Sequence, residues 1–547
     1  MAPTRPTRSP RGLTRRDLLR LAGGGLGVSL AHGSPALLRQ SVGLAAQETT
    51  IVVGTLINIK TLDPGRELEN GTNNIDHVTY DTLVTFAGED VSRPLPSLAT
   101  SWKISSDGKM YTFTLRPNVK FASGNPFTAA EMKWSLDRQM NIKGNAAFLM
   151  SGVEEVLAPD PMTIVLRLSE PRPAILPILT DPALSAVDSK LVMANGGDAG
   201  PDAKEKDKAE AYLNAHSAGT GPFVLSSYVP EQEIVLVKNP THWRGAPKID
   251  RVVIRNIKEP ADQELMIKRG DLSIATGIGP DQVRALQGVP GVTVKTSLAL
   301  NVVNLVMNQN PEVGGPFSNP KIQQAVRYAL DYTGLMKIAG PGAVRLAGVI
   351  PTNLPGALPS SQAVKTDRAK AVALLKDAGL GEVKGVLSFS STTVFNGIGV
   401  SLIAQKVQAD LGAVGIQLTL NDLPYGIAIQ RYRDGKSQIG VWGWVADYPD
   451  VSDYLVFLPG RTVGKRAGWL DDSSPQVRDL LTLGHAAETE INDAKRIAMY
   501  QKLDGLLAAA GPYIPLFQPV TPYAYRSNLH GVTFTSEWLV DYSTVSA

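Results

Sequence analysis

Between residues 95 and 134 the pattern of apolar and polar positions changes period twice. Tyr111, Phe113 and Leu115 alternate with Thr112, Thr114 and Arg116, the period of a half-buried strand. Just before them, Asp107-Gly108 is a two-residue turn signal between segments able to pair. Gly124-Asn125-Pro126 breaks the chain. Thr128 and Glu131 then stand at capping-box spacing, which predicts a helix from Ala129. Alternation returns at Thr163–Leu168, and strands are also predicted at Ile51, Val52 and Val53, at Glu233–Lys238 and over 251–257.

The later part of the chain mixes helical and strand periods. Asn319 caps a helix with Pro320 in its first position, and Ile322, Ala325, Val326, Ala329 and Leu330 share one face. Further helices are predicted over 366–378, stopped by Gly379, over 398–411, and over 491–510, stopped by Gly511-Pro512. An alternating strand of Ile416, Leu418 and Leu420 follows Gly415. The fold class is therefore α/β, with no repeat at solenoid periods. The polar run over 195–210 reads as a surface loop leading into a short helix, and as a linker. At 547 residues the chain exceeds the ~250–300 residues that one core sustains, so at least two domains are expected.

Charge sharpens this picture. The chain carries +3 overall, but residues 1–46 hold seven arginines and one acid, Asp17, leaving −3 on the remainder. A nucleic-acid binder would need a basic stripe on its folded part, so no nucleic-acid partner is expected. Thr14-Arg15-Arg16-Asp17-Leu18-Leu19-Arg20 resembles a twin-arginine export motif. A weakly apolar stretch over 18–31 follows, and cleavage is expected near Ala45 or Ala46, or earlier after Ala31. The alternative is a disordered arginine-rich tail. No apolar run reaches the ~18–20 residues of a membrane span. The absence of cysteine excludes disulfides, thiolate metal sites, a cysteine nucleophile and a lipidated mature terminus. A freely diffusing periplasmic protein is expected.

Candidate chemistry concentrates in Trp442-Gly443-Trp444-Val445-Ala446-Asp447-Tyr448-Pro449-Asp450. Asp447 is an acceptor-only group able to hold an ammonium through charge-assisted hydrogen bonds. Trp444 offers flat apolar area and a face for a cation. Gly443 removes a side chain where another backbone could approach. A turn with core tryptophans is the plainer alternative. Elsewhere six histidines are scattered without metal spacing, so no metal and no cofactor are expected. Gly219-Thr220-Gly221 lacks the lysine of a phosphate loop. No GxSxG elbow is present, and an enzyme is not expected.

The stretch 95–134 (LPSLATSWKISSDGKMYTFTLRPNVKFASGNPFTAAEMKW) closely resembles the signature region of family 5 extracellular solute-binding proteins, the peptide/nickel type that feeds ABC importers. Tyr80-Asp81-Thr82-Leu83-Val84, Gly219-Thr220-Gly221-Pro222-Phe223 and Asn239-Pro240-Thr241-His242-Trp243 match the same family. The resemblance implies a two-lobed periplasmic-binding-protein clamp of three domains joined by hinges. Lobe I would comprise 48–85, 217–300 and 515–547, with 86–216 as an inserted second domain and 301–514 as lobe II. It also implies that Asp447 grips the α-amino group of a bound peptide and that Trp444 lines the adjacent pocket. The backbone of Gly443, Trp444 and Val445 would pair with the extended ligand, with Trp442, Ala446 and Tyr448 completing the segment. Thr72 and Asn73, in a loop from Asn70, lie where relatives contact the first ligand residue. Tyr523 and Tyr525, in the closing segment, are weaker candidates. Relatives hold the ligand's carboxylate with an arginine or histidine. Here Arg431, Arg433, Arg461 and Arg466 are available without a matching motif.

The expected function is the substrate-binding component of an ABC importer. It would capture a small solute, foremost a short peptide, between the lobes and deliver it as a monomer to a permease served by a separate ATPase. An oligosaccharide, opine or metal chelate on the same scaffold stays open, as does a sensory or chaperone-like role. A secreted hydrolase is the rival from another class.

Overall fold

The computed structural model describes residues 48–547, except Glu67, Glu69 and Gly381, and Asn70 without its side chain. The export signal read over 1–46 lies outside the described residues. Three large sheets form, and none closes into a barrel. Among the described residues no helix is long and apolar enough to cross a membrane.

The first sheet has seven strands, ordered Val292–Leu298, Val520–Arg526, Ile274–Ala275, Thr50–Thr55, Arg251–Asn256, Glu233–Lys238 and Phe223–Val229. Its centre is parallel: Thr50–Thr55 runs alongside both Arg251–Asn256 and Ile274–Ala275. Strands of that kind are covered on both faces: Ile51, Val53, Val252 and Ile254 are buried on one face, and Gly54 and Val253 on the other. The second sheet is antiparallel, ordered Ala99–Ile104, Met110–Leu115, Thr163–Leu168 and Val153–Asp160. Tyr111, Phe113 and Leu115 face its core, as their alternation predicts. The connection at Asp107-Gly108 is longer than two residues: Gly108 N–H donates to Ser105 O, and Asp107 accepts from Ser105 and Lys109. Helix Ala129–Ile142 packs on this sheet. Thr128 Oγ1 accepts from Ala130 N–H and donates to Glu131, so the two predicted cap residues meet through their side chains.

The third sheet is ordered Ile416–Asp422, Val383–Phe389, Ile439–Trp444, Val302–Met307 and Tyr513–Phe517. Helices Pro320–Ala329 and Val400–Gly412 share a core with it. The second of these starts two residues later than predicted, because Ile398 and Gly399 pair with Val394 and Phe395 in a short hairpin.

Two readings of the sequence change. The polar stretch over 195–210 is fastened down rather than a free linker. Its Asp207 is buried and accepts from Arg138 Nε at 2.8 Å and from Arg66 Nη2 at 2.8 Å, while Arg138 also grips Asp63 with two bonds of 2.7 Å. Asn70 to Asn73 form the first turn of helix Asn70–Thr79 rather than a loop. The Gly-Thr-Gly motif has a packing reason: a Cβ on Gly219 would lie 2.2 Å from the Thr79 carbonyl oxygen. Thr220, Trp243 and Arg244 all donate to the buried Asp81. Burial raises the Asp81 pKa, but His242, Arg244 and Trp243 outweigh it and hold the carboxyl well below the usual range.

The molecule is an α/β clamp. A cleft runs between the side bearing residues 60–172 and the side bearing residues 433–488, and each contributes one wall.

Candidate functional site

The strand Ile439–Trp444 reaches the cleft. It pairs along its full length with Val302–Met307, but with Val383–Phe389 only at Ile439 and Gly440. Past Gly440 no strand among the described residues covers its other edge, which leaves backbone donors and acceptors open to an added strand. Alternation sends Trp442 and Trp444 to one face and Val441 and Gly443 to the other. Trp442 is buried and stacks on Tyr432 with ring centroids 4.3 Å apart. Trp444 lines the cavity, and its Nε1 donates to Asp453 at 2.6 Å. What approaches Gly443 is a ring, not a backbone: a Cβ there would lie 2.8 Å from Phe395 Cε1.

The cavity measures about 880 Å³, within the ~300–1,000 Å³ of small-molecule sites. Gly443, Trp444, Val445, Asp447 and Tyr448 line it. Ala446 packs instead with the cluster that holds Trp442. Tyr448 crosses the cleft and is buried in the core of the four-stranded sheet. Asp450 secures the same loop by a two-bond pair with Arg496, at 3.1 and 2.5 Å. Thr72, Asn73 and Tyr525 are not among the lining residues. Thr72 donates to the Thr61 carbonyl, Asn73 serves Asp181, and Tyr525 lies in strand Val520–Arg526 stacked beside Tyr523.

Asp447 is half-buried, and among the described residues its carboxylate has no hydrogen-bond or ion-pair partner. Burial pushes its pKa up to about 6, with Arg466 pulling the other way. Its neighbours are acids. Asp453 is buried beside it and raised well above the usual range, by burial first and then by the Asp447 charge. Asp181 is pushed up to about 7, chiefly by burial, with Asp447 adding to the rise. Glu537 reaches about 8 through burial and Asp181. A cation entering beside Asp447 would relieve this crowding.

Basic residues face them. Arg433, Arg461 and Arg466 line the cavity and Arg431 does not. The Arg466 guanidinium lies 5.6 Å from the Tyr432 ring centre and 5.8 Å from that of Trp444. Arg172 and Lys60 come from the opposite wall. Arg172 donates to the carbonyls of Leu149 and Ser151. The sequence reading missed Arg172, Lys60 and Asp453, since none sits in a motif and only the folded chain carries them to the cleft. Among the described residues no group of three or more His, Asp or Glu side chains is arranged to hold a metal ion.

Comparison with known proteins bears on this site. The family described as bacterial extracellular solute-binding proteins, family 5 Middle, matches residues 93–464. The di/tripeptide-binding protein 2 of Pseudomonas aeruginosa is 27% identical over 534 residues, covering 92% of this chain and 96% of its own. Among solved structures, DppA of Helicobacter pylori in complex with the peptide STSA matches with a TM-score of 0.73 and 24% identity, over 91% of this chain and 97% of its own. NikA of Brucella suis in complex with Fe(III)-EDTA matches at 0.76 and 21% identity, over 91% and 100%.

Proposed function

We propose that this chain, which belongs to the bacterial extracellular solute-binding proteins of family 5, captures short peptides by their free amino terminus. As a family member it is an extracytoplasmic binding component that works with the permease and ATPase of an ABC importer. The observation that carries the peptide reading is the unpartnered Asp447 carboxylate. It sits in a cavity of about 880 Å³ beside an open strand edge and the Trp444 ring. An extended peptide supplies all three complements: backbone groups for the edge, apolar side chains for the ring and an ammonium for the acid. Arg466, also in the cavity, is our candidate for its carboxylate. The di/tripeptide-binding relative supports the same reading.

In this reading lobe I comprises 48–85, 217–300 and the closing segment, 86–216 is the inserted domain, and lobe II starts at 301. We set the last crossing after Phe517 rather than at 515, because Tyr513–Phe517 completes the five-stranded sheet. A ligand touching both lobes favours the shut form. Tyr448, packed in the core of the opposite side, would leave that core on opening. The shut monomer docks on the permease, and export follows the twin-arginine route read from residues 1–46. The test is mass spectrometry of ligand released by denaturing protein purified from its native host. Masses of short peptides are expected, and a sugar, opine or chelate mass would overturn the reading.

A further inference from the structure

Among the described lining residues, three arginines stand without a carboxylate partner, more than the single terminal carboxylate of a neutral peptide pairs. The lining includes the acids Asp447, Asp453 and Glu488 and the arginines Arg172, Arg433, Arg461 and Arg466. Arg461 and Glu488 face each other at 3.9 Å. Among the described residues Arg172, Arg433 and Arg466 have no carboxylate within salt-bridge distance. Asp453 is already engaged by the Trp444 indole and the Asp447 backbone.

A second feature points the same way. A side chamber of about 450 Å³ opens beside the main cavity, lined by Arg433, Gly460, Arg461, Thr462, Lys465 and Arg466. Among the described residues it offers four basic side chains and no acid. The basic wall therefore extends beyond any place needed for one terminal carboxylate. Arginine at such a wall presents a planar fork matched to carboxylate. The more exposed bases at its mouth raise the local concentration of anions before contact.

Resting on the peptide reading above, we propose that the preferred ligands are acidic peptides: an ammonium end at Asp447 and, beyond it, two or more carboxylates facing the Arg433, Arg461 and Arg466 wall. One carboxylate is the terminus and the other belongs to an aspartate or glutamate side chain. Neutral peptides satisfy the acid and leave part of the wall unpaired, and basic peptides meet it with like charge.

Calorimetry with the isosteric peptides Ala-Ala-Glu and Ala-Ala-Gln tests this on the full-length mature protein. We expect Ala-Ala-Glu to bind about tenfold more tightly, about 1.4 kcal/mol. Arg433→Gln combined with Arg466→Gln should bring the ratio toward one, and a lone Arg433→Gln, at an exposed position, should lower it without unfolding the chain. An unchanged melting temperature would show that each variant is folded. Equal affinity for the two peptides in the unmodified protein overturns the proposal and leaves peptide capture standing. So does a preference that survives both arginine changes. Binding of neither peptide overturns peptide capture itself, and this proposal with it.

Discussion

Replacing Asp447 with asparagine keeps the shape of the side chain and removes its charge. Among the described residues that charge has no hydrogen-bond or ion-pair partner, and burial has already lifted its pKa to about 6. An ammonium docking there forms a half-buried pair. Removing one partner of a buried hydrogen-bonded pair costs about 2–5 kcal/mol. Asp447 retains part of its solvent exposure, so the lower end applies, about 2 kcal/mol or roughly thirtyfold in Kd. Calorimetry on Ala-Ala-Ala and N-acetyl-Ala-Ala-Ala isolates the effect. The free peptide should lose roughly thirtyfold on Asp447→Asn, and the acetylated one, which has no charge to offer, only about twofold. The same argument fixes a pH dependence. The ammonium selects the ionised acid, so affinity is full above the raised pKa and lost as pH falls through about 6. At pH 5 only about one acid in ten is ionised, so the unmodified protein should bind the free peptide about tenfold more weakly than at pH 8. Equal losses for the two peptides on mutation would refute the role given to Asp447.

Other expectations follow from the same geometry. Arg138→Met removes the more buried of the two arginines that hold Asp63 and Asp207 and leaves only Arg66 on them, and should lower stability in urea titration by about 3 kcal/mol. Gly443→Ala drives a methyl to 2.8 Å from the Phe395 ring. It should cost about 1–3 kcal/mol in the same assay, and Phe395→Leu should recover part of that loss in a double-mutant cycle. Asp181, Asp504 and Glu537 all have raised pKa values, at about 7, 7 and 8, each chiefly through burial. The folded chain therefore holds more protons than the unfolded one between their ordinary and raised values. Ligand-free stability should rise as pH falls from 8 toward 5, by up to about 1.4 kcal/mol per pH unit for each titrating group. A flat melting temperature over that range would contradict it. Below about pH 4 the trend should reverse, because Asp81 and Asp541 are held low by His242 and Arg244 and by His77, against the burial that raises both.

The elements set by local pattern were legible from the chain. The alternation of Tyr111, Phe113 and Leu115, the Asn319 cap and the stop at Gly511 depend on side chains within a few residues of one another. Asn319 accepts from Lys321 N–H just as its position before Pro320 predicts. The segment around Asp447 could likewise be singled out, since its aromatic and acidic residues are adjacent in sequence. Misreadings arose where distant partners overrode local character. The polar run at 195–210 looked free because its partners Arg66 and Arg138 lie far along the chain. Trp442 and Trp444 look equivalent in sequence, but the first is packed against Tyr432 and the second lines the cleft.

The sequence by itself determined the strand and helix periods, the acid-and-tryptophan segment and the absence of thiol chemistry. Only the tertiary structure decided that Arg172 on one wall meets Arg433, Arg461 and Arg466 on the other, and that Asp447 stands among Asp181 and Asp453. The physical reason is range. Periodicity and capping act across a few residues, whereas the potential in the cleft is summed over charges that become neighbours only when the two lobes come together.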